Sequence, residues 1–265
     1  MEWHSSPVRN RRLHSLAGLL VLWLLLLARP VPAPAELTSA EDAYTLGMSF
    51  ELSQNIEEAI HWYTLAAEQG HAMAQFSLGD IYARDERAQD YAAALHWYLK
   101  AAEQDNAPAQ LAAGVLYADG LGTQRNHQEA NRWFRRAAGQ GNRSAQFNLG
   151  IAYDHGYGVP VDPVQAFGWF RMAAEQGLAD AQYNIGIMYA GGDGVEQDPV
   201  RAYRWINKAA EQGHPTALAA RAELERILTP AQISLGSSNG LGFDPSGPII
   251  AVPDFKPIPA AQADQ

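Results

Sequence analysis

The 265-residue sequence predicts an all-α fold, a helical repeat solenoid, and two recurring blocks predict it. The first begins at tryptophan: "WYTLAAEQG" from Trp62 returns as "WYLKAAEQD" from Trp97, "WFRRAAGQG" from Trp133, "WFRMAAEQG" from Trp169 and "WINKAAEQG" from Trp205, at spacings of 35, 36, 36 and 36 residues. The second lies between the tryptophans: "AQFSLGDIY" from Ala74, "AQLAAGVLY" from Ala109, "AQFNLGIAY" from Ala145 and "AQYNIGIMY" from Ala181. Each unit is therefore two helices. At a period of this length each unit buries its apolar face against its neighbours and not in a central core.

Residues 1–35 read as a signal peptide. Arg9, Arg11 and Arg12 precede an apolar run from Ser15 to Ala28, and Ala33 and Ala35 supply the small residues of a cleavage site. The run has 14 residues, whereas a membrane-spanning helix needs about 20. Cleavage after Ala35 is the expectation, with a retained, membrane-tethering segment as the alternative. The Arg11–Arg12 pair is a weak match to a twin-arginine signal.

The solenoid is expected over residues 36–235. A degenerate copy, "DAYTLGMSF" from Asp42, opens it, and "ALAARAELE" from Ala217 closes it. That gives five pairs from about residue 39 to 212 and a final unpaired helix from about 215 to 228, eleven helices in all. The last one gains Arg221, Glu223 and Glu225, the polar outer face of a capping helix. Asn55, Asp90, Asn126, Asp162 and Asp198 each stand seven residues before a Trp, where their side chains can accept from free N–H groups of the first turn. Pro163 and Pro199 follow at the first helical position, where a missing N–H costs nothing. Gly70, Gly141, Gly177 and Gly213 allow a left-handed C-cap, and Asp105 stands in for glycine once. Gly79, Gly114, Gly150 and Gly186, inside the partner helices, imply close helix approach, as do the alanine pairs from 66–67 to 209–210. The tryptophans and the Tyr or Phe after them are expected to be core. The loop "ARDERAQD" after Tyr82 is one residue short and lacks glycine. Residues 236–265, with four Gly and five Pro, predict a disordered tail, within which "GPIIAVPDF" from Gly247 is a candidate docking segment.

The LG(x2)Y and WY(x2)AA(x2)G blocks, joined by loops such as "GYGVPVD", resemble the Sel1-like repeat family, a relative of the tetratricopeptide repeat, over roughly residues 40–228. The resemblance implies a right-handed α-solenoid of antiparallel helix pairs acting as a protein-binding adaptor. In tetratricopeptide-like repeats the first helix of each pair lines the concave face, and an Asn before the LG pair contacts bound peptide. Asn148 and Asn184 match that place, Ser77 and Ala112 occupy it in earlier copies, and Phe147 and Tyr183 adjoin the asparagines. Asn148, Asn184, Phe147, Tyr183 and Ser77 are thus the candidate partner-binding residues, and the asparagines are expected to lie outside the core.

Composition narrows the alternatives. Without residues 1–35 the chain has 15 basic against 28 acidic residues, a net charge of −13, and the basic residues look scattered, so nucleic acid is not an expected partner. There is no cysteine, which removes disulfides, thiolate catalysis and cysteine-held metals. SxxK, HExxH, GxSxG and GKS or GKT motifs are absent. His61 with His96, and Asp193 with Glu196 and Asp198, are weak metal candidates better read as helix surface and helix cap. The expectation is an exported, periplasmic or extracellular, non-enzymatic scaffold that binds a protein or peptide, with no cofactor, no metal, and no membrane after signal cleavage. An exported cell-envelope hydrolase is the alternative.

Overall fold

The computed structural model describes residues 39–237, so the readings made for residues 1–35 and for the tail beyond Ser237 lie outside the described residues. Among these there are twelve α-helices and no strand. They are α1 (Ala40–Leu52), α2 (Ile56–Glu68), α3 (Ala72–Arg84), α4 (Tyr91–Glu103), α5 (Ala107–Asp119), α6 (His127–Gly139), α7 (Arg143–His155), α8 (Pro163–Glu175), α9 (Ala179–Gly191), α10 (Pro199–Glu211), α11 (Pro215–Ile227) and α12 (Pro230–Ser237). The helices fall into two compact units, residues 39–116 with 121–123, and residues 117–120 with 124–237. In each unit successive helices pack on one another, with α12 packed on α10, the arrangement of a solenoid of helix pairs.

The start of every Trp-bearing helix is fixed by the expected cap. Asp162 Oδ1 accepts from the N–H groups of Val164 and Gln165 at 3.1 Å, Asp198 from Val200 and Arg201 at 3.0 and 2.9 Å, and Asn126 from Glu129 at 3.0 Å. The same residue also closes the loop before it. Its own N–H donates to the carbonyl of the tyrosine ending the preceding helix: Asp90 to Tyr82, Asn126 to Tyr117, Asp162 to Tyr153 and Asp198 to Tyr189, at 2.8 to 2.9 Å. The short loop after Tyr82 therefore ends where the longer ones do. Without glycines it is held by Asp85, which accepts from the Arg87 N–H and pairs with its guanidinium at 3.0 Å. At the other helix ends Asp105 adopts φ 61°, as its place among the C-cap glycines implies.

The core differs from expectation in one respect. Tyr63, Tyr98, Phe134, Phe170 and Ile206, each one residue after a tryptophan, are all buried. Of the five tryptophans among the described residues, Trp62 and Trp133 are buried, whereas Trp97, Trp169 and Trp205 are half-buried. The helical glycines account for the burial of the residue after the Trp. A side chain on Gly47, Gly79, Gly150 or Gly186 would overlap Tyr63, Tyr98, Phe170 or Ile206 respectively. The residue after the Trp enters the seat opened by the missing Cβ, while the Trp, about 100° round the helix, lies beside it and is enclosed at Trp62 and Trp133 but partly exposed at the other three.

The loop glycines position the next unit. Gly122, Gly158 and Gly194, with φ near 68°, leave no space for a side chain, because each lies against the opening backbone of the preceding Trp-bearing helix at Tyr91, His127 and Pro163. Helix α12 was not expected. Its "AQISLG" repeats the AQ(x2)LG pattern of the first helices, and Gly236 rests on the Tyr203 ring of α10.

Candidate functional site

The five candidate residues differ in their surroundings. Ser77 is half-buried on α3, in the first unit, and the other four lie in the second. Phe147 is 5% exposed, with its ring 5.5 Å from that of Phe170, and so belongs to the core. Asn148 is 0% exposed, contrary to the expectation that it lies outside the core. Every residue of α7 from Ser144 to Ala152 is buried, so this stretch presents no open face. One repeat later α9 is less enclosed: Tyr183 and Asn184 are half-buried, and the Tyr183 ring stacks on His214 at 4.9 Å.

The asparagines differ in how their side chains are used. Asn55, Asn106, Asn126 and Asn142 cap helices, Asn131 Nδ2 donates to the Tyr157 carbonyl at 2.6 Å, and Asn207 Nδ2 donates to Glu211 at 2.9 Å. Among the described asparagines, only Asn148 and Asn184 have no side-chain hydrogen bond. For Asn148 both Nδ2 and Oδ1 are buried without a partner, a state that costs about 1–3 kcal/mol per group.

The other residues singled out in the sequence have structural roles. His61 and His96 are exposed, each edge-on to its own Trp at 5.1 Å. Asp198 is buried as the α10 cap and pairs with Arg201 at 3.4 Å. Two histidines not singled out do more. His71 and His214 cap α3 and α11 through Nδ1 and reach back through Nε2 to Glu41 at 3.0 Å and Asp180 at 3.2 Å. No described helix is long and apolar enough to cross a membrane.

The Sel1 repeat model matches five successive segments, residues 40–71, 72–106, 107–142, 143–178 and 179–214, and each segment begins at or near the first helix of a pair. The chain belongs to the Sel1 repeat family. It is similar to the solved structure of a Sel1 repeat protein from Oxalobacter formigenes, at 31% identity over 84% of this chain and 97% of that one, with a TM-score of 0.70. It is also similar to c5321, a protective antigen of uropathogenic Escherichia coli with an SLR fold, at 37% identity over 76% of this chain and a TM-score of 0.69. The match spans 44% of that longer protein. No curated protein matches. Sel1 repeats generally mediate protein–protein interaction, and proteins built from them are generally non-catalytic scaffolds.

In these Sel1 repeats the packing of successive helix pairs is fastened by glutamines that the two sequence blocks contain but do not mark as such. The Gln of each AQ pair is buried and donates to the second alanine of the preceding Trp block: Gln75 to Ala67, Gln146 to Ala138 and Gln182 to Ala174, at 3.0 to 3.3 Å. Its Oε1 accepts from the Gln ending the next Trp block: Gln75 from Gln104, Gln146 from Gln176 and Gln182 from Gln212, at 2.7 to 2.8 Å. Replacing Gln182 by leucine keeps bulk but removes its bonds to the Ala174 carbonyl, which still accepts from the Gly177 N–H, and to the exposed Gln212 amide. The expected loss is about 0.5–1.5 kcal/mol of stability per bond, read as a lower urea midpoint. An unchanged midpoint would mean that water replaces both partners.

Proposed function

We propose that this Sel1 repeat protein is an exported, non-catalytic scaffold that binds an extended segment of a partner protein against the first helices of its second unit. The observation that carries the reading is that Asn148 and Asn184, at the same position in successive repeats, are the asparagines whose carboxamides are unspent. A carboxamide offers one acceptor and two donors, the complement of a peptide backbone. Asn184 is open to a partner directly. Asn148 is reached only when the side chains covering it shift, and a partner's N–H and C=O would relieve the unpaired state. Export rests on the charged start, short apolar run and small-residue site within residues 1–35.

The test is affinity capture from the native envelope fraction, followed by calorimetry on the partner so identified. Asn184→Ala is expected to weaken binding by about 1–3 kcal/mol with the melting temperature unchanged. Asn148→Leu removes an unpaired buried amide at nearly constant volume, so it is expected to raise the melting temperature while weakening the partner. Wild-type affinity in both variants would mean that these residues are repeat consensus only.

A further inference from the structure

The basic residues, scattered when read along the chain, gather on the Trp-bearing helices of the second unit. Helices α6, α8 and α10 carry seven Lys and Arg against three Glu, in a chain of net charge −10, whereas α2 carries three Glu and no cation. Two of the three helices share one arrangement. On α6, Arg132 and Arg136 flank Trp133, their guanidinium carbons 5.7 and 5.0 Å from the ring centroid. On α10, Arg204 and Lys208 occupy the same two positions around Trp205, with Lys208 Nζ 4.7 Å from the ring centroid. Burial, and then the charge of Arg204, lower the pKa of Lys208. Like charges one helical turn apart oppose helix formation, yet the pattern occurs twice. Between the two clamps, α8 has Gly168 and Met172 at these positions: nothing lies above Gly168, and Met172 is 42% exposed.

We infer that α6, α8 and α10 form a second binding face, for an extended acidic polypeptide segment whose two carboxylates sit on the Trp133 and Trp205 clamps and whose intervening apolar side chain covers Met172. Each tryptophan orients its cations by cation–π contact, and a carboxylate meets them with charge-assisted hydrogen bonds. Helices α6, α8 and α10 recur once per repeat, and at about 10 Å per repeat, the spacing of packed helix layers, the clamps stand roughly 20 Å apart. At about 3.3 Å per extended residue, the two acids of the partner stand about six residues apart. A nucleic acid strand fits less well. Its charge is continuous, while this face interrupts its cations with an apolar centre and with Glu129, Glu175 and Glu211. The inference does not rest on the asparagine pair, which lies on other helices.

The test uses the full chain at low ionic strength, with fluorescent 14-residue peptides in which two glutamates flank a leucine at separations of three, six or nine residues, a glutamine version of the six-residue peptide, and a duplex oligonucleotide. The six-residue glutamate peptide is expected to bind best, at least tenfold tighter than its glutamine version, and to weaken with added salt. Arg136→Gln and Lys208→Gln should each weaken it severalfold, and the two together by more than tenfold, with melting curves unchanged. Arg136→Lys should restore most of the loss, and Asn184→Ala should have no effect. Failure of the glutamate peptides to bind, equal binding of the glutamine version, indifference to the two substitutions, or tighter binding of the duplex would overturn the inference.

Discussion

Phe170→Ala is expected to lower the stability of the protein by about 3–5 kcal/mol, and Trp169→Ala, one residue away, by clearly less. Phe170 is 2% exposed and lies in the seat above Gly150, beside Phe147 and within the core of the second unit. Truncating it leaves a void that glycine, having no side chain, cannot help to fill. Trp169 is half-buried, so part of its surface is already in water. Urea unfolding of both variants, followed by circular dichroism, makes the comparison. The reverse order would return the anchoring role to the tryptophan, as its recurrence in the sequence suggests.

Gly194→Ala is expected to cost about 2–5 kcal/mol, while Gly213→Ala, at a similarly left-handed residue, costs only about 1–2 kcal/mol. Both glycines have positive φ, 68° and 82°. Around Gly213 there is no atom within 4 Å of an added methyl group, so backbone strain is the whole penalty. At Gly194 the methyl would run into the Pro163 carbonyl, a backbone atom that no rotamer change can move, and overpacking adds about 1–3 kcal/mol. Melting temperatures of the two variants, taken side by side, separate the contributions. Equal shifts would show that the loop retreats from α8 without loss.

What the sequence made legible was whatever acts within a few residues of chain. Asp162 and Asp198 cap helices because the capped N–H groups are two and three residues on, and Asp105 takes the left-handed position because its place in the block is that of a glycine. Interactions between helices far apart in the chain were harder to read. Gln146 and Gln176 were in the quoted blocks, but their bond spans 30 residues, and nothing local in either block calls for it. Helix α12 was missed because "AQISLG" stands out of phase with the 36-residue period, so a search keyed to the period passes over it. The candidate site was half legible. Position in the repeat selected Asn148 and Asn184 together, but burial separates them, since enclosure depends on neighbouring helices and not on the residue's place in its own block.

The glutamine joint has a consequence for how such a chain can change length. The Gln–Gln bond lies within one segment and the Gln–Ala bond joins it to the segment before, always from the same positions, so a copy inserted or removed whole leaves every bond matched. The unit one residue short shows the tolerance: Gln75 and Gln104 are 29 residues apart, against 30 for Gln146 and Gln176, and still meet at 2.7 Å, because the lost residue falls in the loop before Asp90. Duplication or deletion of a complete segment therefore needs no simultaneous redesign of the contact it creates. Unit number is free to drift over evolutionary time while the fastening stays constant, and an insertion within a helix, which would rotate one glutamine away from its partner, is the kind of change that selection should remove.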